Sequence, residues 1–181
     1  MSKPRFFIAI LPPDAILYEI VAFQKEIETA YGSKHAQNAP PHITIIPPFE
    51  ANLEEVEILI ETLSKSNFDN NPIEIHLDGF QNFDHRTLFV DISKNEALER
   101  FSKVVKQLFN QQKIIPQRVE KHFFVPHITV ANKDLKKKDF KLALLEFKQR
   151  DYQRKFLLAE IVVLRFEDRK WKLYKQIELL N

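Results

Sequence analysis

A short motif occurs twice in this 181-residue chain, and it constrains the fold more than any other feature. The copies are Pro41-His42-Ile43-Thr44-Ile45 and Pro126-His127-Ile128-Thr129-Val130, which start at positions 41 and 126. One His-x-Thr is unsurprising among six histidines. Two copies that share the preceding proline and the intervening isoleucine should arise by chance less than about one time in a hundred. The chain is therefore expected to contain two related halves.

Each copy of the motif is predicted to form a short β-strand. The first copy is a β-branched run between Pro40 and Pro48, so we expect a strand whose ends the prolines define. Residues i and i+2 of a strand share one face, and residue i+1 lies on the other. His and Thr of each motif therefore point one way, while the isoleucines point into the core. Each strand presents an imidazole and a hydroxyl together.

Hydrophobic periodicity predicts an α+β chain around these motifs. Strands are expected over 6–11, 40–48, 73–78, 87–92, 126–130, 156–166 and 171–179, and helices over 14–31, 53–65, 95–109 and 139–149. Gly32 is the predicted stop of the first helix, and Asn52 with Glu55, and Ser93 with Glu96, have the spacing of capping boxes. The order is βαβα twice, with an extra hairpin in each half. No linker is visible, so we expect one domain over residues 1–181 made of two similar lobes.

Composition narrows the chemistry further. Cysteine is absent, which excludes disulfides, cysteine-bound zinc and thiol nucleophiles. The chain is 44% hydrophobic and 29% charged, as expected of a folded protein. No apolar run approaches the roughly 20 residues that span a bilayer, and the first residues do not resemble a secretion signal. We expect a cytoplasmic protein with no membrane contact. A net charge of +2 permits a phosphate-bearing partner without requiring one.

Two histidines suit acid–base chemistry at a phosphate. Cleavage of a phosphodiester requires one group to take a proton from the attacking oxygen and another to give a proton to the leaving oxygen. An unperturbed imidazole titrates near pH 6.5, so one can start neutral and the other protonated. The hydroxyls of Thr44 and Thr129 can donate to the non-bridging phosphate oxygens. This chemistry needs no metal and no other cofactor.

Structural explanations compete with this reading. Taken singly, His35, His76, His85 and His122 are expected to be packed or surface residues, and Thr44 and Thr129 alone would be ordinary strand residues. A metal site would need distant carboxylates, because the sequence has no His-Glu-x-x-His. The run Lys136-Lys137-Lys138 is expected to be a solvated helix face, with steering of an anionic substrate as the alternative.

The paired motifs resemble the two His-x-Thr signatures of the 2H phosphoesterases, the superfamily of bacterial 2'-5' RNA ligase-like proteins and cyclic phosphodiesterases. The segment Pro48-Phe49-Glu50, the opening 5–10 and the segment 86–90 between the motifs also resemble small bacterial members. The resemblance implies a bilobal, pseudo-twofold fold of two antiparallel sheets with flanking helices around a central cleft. It also implies activity on 2',3'-cyclic phosphate ends or 2'-5' linkages.

Carried over residue by residue, the resemblance makes His42 the proton donor, His127 the proton acceptor, and Thr44 and Thr129 phosphate ligands. Phe83, Arg86 and Arg118 are weaker candidates for contacts to phosphate or base. Two functions remain open. One is a metal-independent hydrolase acting on RNA ends or small nucleotides, as a monomer, with RNA ligation as the reverse reaction. The other is a non-catalytic RNA or nucleotide binder that kept the cleft.

Overall fold

The computed structural model describes residues 3–68, 71–113 and 124–179. Within those ranges the chain forms eight strands and four α-helices. In chain order they are β1 (Arg5–Ile10), α1 (Asp14–Tyr31), β2 (Ile43–Glu50), α2 (Leu53–Ser64), β3 (Glu74–Phe83), β4 (Thr87–Ile92), α3 (Glu96–Gln111), β5 (His127–Ala131), α4 (Lys137–Phe147), β6 (Gln153–Leu157), β7 (Glu160–Glu167) and β8 (Lys170–Glu178). A 3-10 turn, His35–Asn38, precedes β2. None of the helices in these ranges is long and apolar enough to cross a membrane.

The strands form a sheet with a symmetric order, β6-β3-β4-β5-β2-β1-β7-β8, in which all neighbours are antiparallel. The two motif strands, β2 and β5, lie side by side at its centre. The path β1-α1-β2-α2 is repeated by β4-α3-β5-α4. We call β2-β1-β7-β8 the first half-sheet and β5-β4-β3-β6 the second. The expected α+β fold with two related halves is confirmed.

The half-sheets are joined rather than separate. Ile43 of β2 pairs with Ile128 of β5, and this is the pair that links the central strands. The sequence predicted two sheets, whereas the described residues form one continuous sheet through this junction. Backbone groups on the inner edges of β2 and β5 would otherwise lack partners, so a join there satisfies some of them.

The sheet is curled. Only Leu158 and Ala159 separate β6 from β7, although five strands lie between them in the sheet. In a flat sheet, six strand spacings would place them about 29 Å apart, whereas this link reaches at most about 11 Å. The sequence predicted a single strand over 156–166, because most residues there are apolar. That prediction is wrong: the chain crosses from one half-sheet to the other at this link.

The two faces of the sheet have different environments. On β1, Phe6, Ile8 and Ile10 belong to the large core that all four helices cover. Phe7 and Ala9 alternate with them and pack on the other face, in a small cluster with residues of β7. The helices therefore cover one face, and the other face lines the cleft between the two halves.

Most of the helix caps predicted from the sequence are present in the structure. Gly32 has the left-handed conformation (φ 72°) that ends α1, and Asn52 with Glu55 forms a capping box at the start of α2. The second predicted box is wrong. Asn95 is the N-cap of α3, because its side chain accepts a hydrogen bond from the backbone N–H of Leu98 at 3.0 Å.

Strand β2 continues past the prolines that were expected to end it. It runs through Pro47 and Pro48 to Glu50. Its register with β1 shifts between the pairs Ile8–Ile46 and Phe6–Phe49, so β2 has one extra residue there. A bulge of this kind accommodates proline, which cannot donate to the ladder.

Candidate active site

The register of the central strands brings the four motif side chains together. Ile43 lies opposite Ile128, and continuing this antiparallel register by one residue puts His42 opposite Thr129 and Thr44 opposite His127. All four lie on the cleft face, because the isoleucines are in the core. In the described residues the two strands pair only at these isoleucines, and the four polar side chains flank that pair on the other face. The histidines occupy one diagonal of this group and the threonines the other.

Both imidazoles are held in the same way. His42 Nδ1 lies 2.7 Å from the carbonyl oxygen of Pro40, and His127 Nδ1 lies 2.8 Å from that of Val125. A carbonyl only accepts, so each Nδ1 carries the hydrogen and each Nε2 is left with a lone pair. In each motif, the proline lies between the histidine and the residue whose carbonyl it contacts. This proline holds the preceding residue in an extended conformation. The repeated proline therefore orients the histidine.

Aromatic side chains pack against both imidazoles. The ring of Phe7, on β1, is 4.7 Å from that of His42, and Trp171 packs edge-on against Phe7 at 4.7 Å. On the other side, Phe83 and Phe89 lie 4.8 and 5.1 Å from His127 between ring centroids. These contacts fix the ring planes and remove water from part of each imidazole.

Burial governs the protonation of the pair. Burial and, to a smaller extent, the nearby charge of His127 lower the pKa of His42 to about 4, against the hydrogen bond to Pro40. Burial also lowers the pKa of His127, opposed by the hydrogen bond to Val125 and by the carboxylate of Asp91, its partner on β4. Both imidazoles are thus mainly neutral at pH 7 without substrate.

A buried glutamine on the helix-covered face of the sheet is hydrogen-bonded to the second motif strand. Gln24, on α1, is 3% exposed, and its Nε2 donates to the backbone oxygen of Thr129 at 3.0 Å. Because β2 and β5 separate on either side of the isoleucine pair, this carbonyl needs a partner outside the ladder. The helix thereby fixes the position of Thr129.

A cavity of about 230 Å³ opens beside the group on the His42 side. His42, Thr44 and Thr129 line it, whereas His127 does not. The other lining residues are Phe7, His35, Ala36, Asn38, Ala39, Pro48, Asn132 and Trp171. Pockets for drug-sized ligands have volumes of about 300–1,000 Å³. This smaller cavity can hold one part of a larger molecule. The site is therefore asymmetric although its motifs are repeated.

The sequence did not identify His35, Asn132 and Trp171 as site residues. His35 was expected to be a packed or surface residue, yet it lines the cavity, and its Nδ1 lies 2.9 Å from Asn132 Oδ1. None of the three has a counterpart in a repeated motif. The one available signal was position, since Asn132 follows Thr129 by three residues.

The remaining candidates fall in different places. Phe83 contacts His127, whereas Arg86 is exposed in the β3–β4 turn, and Arg118 lies outside the described residues, as does His122. His76 and His85 are exposed, as expected. Lys136, Lys137 and Lys138 are exposed around the start of α4. Among residues 3–68, 71–113 and 124–179, no three His, Asp or Glu side chains are grouped so that they could hold a metal ion.

A sequence profile of the 2'-5' RNA ligase superfamily matches residues 12–170. The chain belongs to this superfamily. A relative from Staphylococcus saprophyticus is 30% identical over 178 residues, covering 95% of this chain and 97% of the relative. One from Staphylococcus epidermidis is 26% identical over 177 residues with the same coverage, and both carry the name "Putative phosphoesterase". The resemblance to the 2H phosphoesterases is confirmed, and the family and these names support a phosphoesterase.

Solved structures show the same fold. Escherichia coli LigT complexed with 3'-AMP matches with a TM-score of 0.67 at 14% identity, covering all of both chains. LigT has also been solved with ATP, where the TM-score is 0.58 at 15% identity, covering 99% of this chain and 100% of that one. At this identity the likeness establishes the fold alone.

Proposed function

We propose that this protein is a metal-independent phosphoesterase that acts on 2',3'-cyclic phosphate ends or 2'-5' linkages of RNA and nucleotides. The observation that carries the proposal is the group formed by His42, Thr44, His127 and Thr129 on the two central strands. Two imidazoles with free Nε2 atoms lie on one diagonal, and we infer that one phosphate can contact both. Two hydroxyls lie on the other diagonal, where they can donate to its non-bridging oxygens.

The proposed reaction on a cyclic phosphate is a single displacement. A water oxygen bonds to phosphorus while the bond from phosphorus to one ribose oxygen breaks. His127 Nε2 takes a proton from the water, and His42, protonated on Nε2, gives its proton to the leaving ribose oxygen. The product is a phosphate monoester, and solvent then restores the two protonation states. A 2'-5' linkage is cleaved when the neighbouring 3'-hydroxyl takes the place of water, and ligation is the reverse.

The asymmetric cavity supports these roles. In such a displacement the attacking oxygen and the leaving oxygen lie on opposite sides of phosphorus. The leaving oxygen belongs to the ribose, so the nucleoside lies on the side of the proton donor. The cavity that could receive part of a nucleoside lies beside His42, and His127 does not line it. His42 is therefore assigned as donor and His127 as acceptor.

The low pKa of His42 is compatible with this role only when phosphate is bound. Burial keeps His42 neutral in the free protein. An anionic phosphate within reach of Nε2 favours the imidazolium, which raises the pKa of His42 in the complex. The proton donor is thus charged mainly when its substrate is present.

One chain supplies all four groups, so we further propose that the protein acts as a monomer. We also propose a cytoplasmic location.

The decisive test is to incubate the protein with each of the four 2',3'-cyclic nucleotides, and with a 2'-5' dinucleotide, in the presence of EDTA. Opening of the cyclic phosphates and cleavage of the dinucleotide are both followed by phosphorus NMR. We expect similar turnover by the wild-type protein and by His76→Ala, which changes an exposed histidine, and turnover lower by about 10²–10⁴-fold in His42→Ala and in His127→Ala. If wild-type protein binds these nucleotides and turns over none of them, it is a binder that has kept the cleft.

A further inference from the structure

We propose that the substrate is a strand of RNA rather than a single nucleotide, and that its phosphates on the 5' side of the reacting nucleotide follow a row of lysines next to the cavity. This lysine ridge consists of Lys34, Lys133, Lys136, Lys137, Lys138 and Lys141. The inference rests on the proposed function and names its substrate class.

The ridge begins at the rim of the cavity. Asn132 and His35 line the cavity and are hydrogen-bonded to each other. Lys133 directly follows the asparagine, and Lys34 directly precedes the histidine. Asp134 fixes this arrangement, because its Oδ2 accepts from the backbone N–H groups of Lys34 and His35, both at 2.9 Å. Two lysines from distant parts of the sequence are therefore anchored on the same edge of the site.

The ridge continues onto α4. Lys136, Lys137 and Lys138 are exposed around the first turn of this helix, and Lys141 follows at the spacing of the same helix face. Within the described part of the chain, none of the six lysines forms a salt bridge. Their charges are available to a ligand.

The lysine ridge carries a local excess of positive charge. Lys34 and the segment 133–141 contain six lysines and two aspartates, a net charge of +4. The whole chain carries +2, so the other residues together carry −2. A local excess that exceeds the net charge of the chain is suited to a polyanion.

Helix stability does not explain these lysines. The N-terminus of a helix carries a positive partial charge, which favours acidic rather than basic residues in the first turn. Lys136 occupies the N-cap of α4 without a side-chain capping hydrogen bond, a position that Ser, Thr, Asp or Asn would stabilise. Residues that oppose local stability are expected where a binding function requires them.

The geometry of an RNA strand indicates how it could reach both the cavity and the lysine ridge. A 2',3'-cyclic phosphate ends an RNA strand, and the rest of the strand is attached through the 5'-oxygen of the terminal nucleoside. With that nucleoside in the cavity beside His35 and Asn132, its 5'-phosphate leaves past Lys34 and Lys133. Phosphates further upstream then reach the lysines of α4. A cyclic mononucleotide has no such phosphates, so it gains nothing from the ridge.

The test uses oligoribonucleotides of one to four nucleotides that end in a 2',3'-cyclic phosphate. We expect kcat/KM to rise with length for the wild-type protein. The triple variant Lys136→Glu, Lys137→Glu, Lys138→Glu should lower kcat/KM for the tetranucleotide about tenfold or more at low salt, and leave the mononucleotide unchanged. The slope of log(kcat/KM) against log[salt] should become shallower by about 2, since each contact on a single strand contributes about 0.7.

A matched triple variant controls for net charge. Lys94, Lys103 and Lys175 are exposed and lie outside the ridge, so their replacement by Glu should leave the length dependence intact. The proposal is overturned if kcat/KM is independent of length, or if the two triple variants behave alike. If no cyclic phosphate is opened at all, the proposed function has failed, and anisotropy with a 3'-phosphorylated tetranucleotide still tests the ridge: equal binding by wild-type and ridge variant rejects it.

The same binding assay distinguishes RNA from one other anionic partner, a membrane surface. Leu142 and Leu145 of α4 are 59% and 64% exposed, and a basic helix with exposed leucines can also lie on a membrane surface. Continuity with the cavity favours RNA. Binding to phosphatidylserine vesicles that is tighter than binding to the tetranucleotide, and lost in the ridge variant, would overturn the RNA assignment.

Discussion

Ile43 lies directly opposite Ile128 across the junction of the two half-sheets, and this pair determines where the histidines point. Because side chains alternate along a strand, a slip of one residue in either strand would turn its His and Thr into the core and its isoleucine into the cleft. Both isoleucines are fully buried. Burial of two apolar side chains therefore fixes the geometry of the polar group on the opposite face.

The pH dependence of catalysis should reflect the two buried imidazoles. The active form has one neutral and one protonated histidine. In the free protein, the pKa of His42 is about 4 and burial lowers that of His127. A plot of kcat/KM against pH should thus be bell-shaped with its maximum below pH 6.5, and the kcat profile should lie at higher pH, because bound phosphate raises both values. A kcat/KM profile that is flat from pH 4 to 8 would contradict the two-histidine mechanism.

Replacing either histidine should separate catalysis from folding. We expect His42→Ala and His127→Ala each to lower kcat about 10²–10⁴-fold, the usual contribution of a positioned proton-transfer group. The double variant should lose less than the product of the single losses, since both groups serve one event. Circular dichroism should show all three variants folded, because the core side of each strand is unchanged. Multiplicative losses would indicate independent roles.

Features encoded by short-range patterns were predictable from the sequence. Alternation predicted β3 and β4, short β-branched runs predicted the two motif strands, and helical spacing predicted four helices close to their observed bounds. His35 was not predictable as a site residue, because its partner Asn132 lies 97 positions away and only the tertiary fold brings them together. The break between β6 and β7 was not predicted, because apolar residues lie on both sides of it and no glycine or proline marks the link.

Each hydroxyl should contribute to catalysis less than each imidazole. Thr44→Val and Thr129→Val keep the β-branched shape and remove one donor to the phosphate. We expect kcat to fall about 10- to 100-fold, the worth of a hydrogen bond to a charged group. Thr62→Val, on α2 outside the cleft, serves as the control. Unchanged kcat in both cleft variants would mean that the hydroxyls do not touch phosphate.

Stability should depend on pH through His42. The pKa of His42 is about 4 in the folded protein and about 6.5 in an unfolded chain. Between these values the unfolded chain binds the extra proton, so the free energy of unfolding falls as pH drops from 6.5 to 4, by at most about 1.4 kcal/mol per pH unit. Urea unfolding of wild-type protein and of His42→Ala should show the shallower pH slope in the variant. Equal slopes would refute burial of a neutral His42.

The last prediction concerns Gln24, which links α1 to the second motif strand. Gln24→Leu removes the donor to the backbone oxygen of Thr129 and leaves a buried carbonyl unpaired, so the free energy of unfolding should fall by about 1–3 kcal/mol. Because the same carbonyl helps to fix β5, kcat should fall as well.

Two comparisons isolate that hydrogen bond. Gln24→Glu places a carboxylate, which cannot donate, in the same buried position, and protonation restores a donor. Its stability relative to Gln24→Leu should therefore improve as pH falls. Gln153→Leu, at an exposed position on β6, should change the free energy of unfolding by less than about 0.5 kcal/mol. If Gln24→Leu is as stable as wild-type protein in urea and keeps its kcat, the Thr129 carbonyl does not depend on α1, and the position of β5 is set by its strand pairing alone.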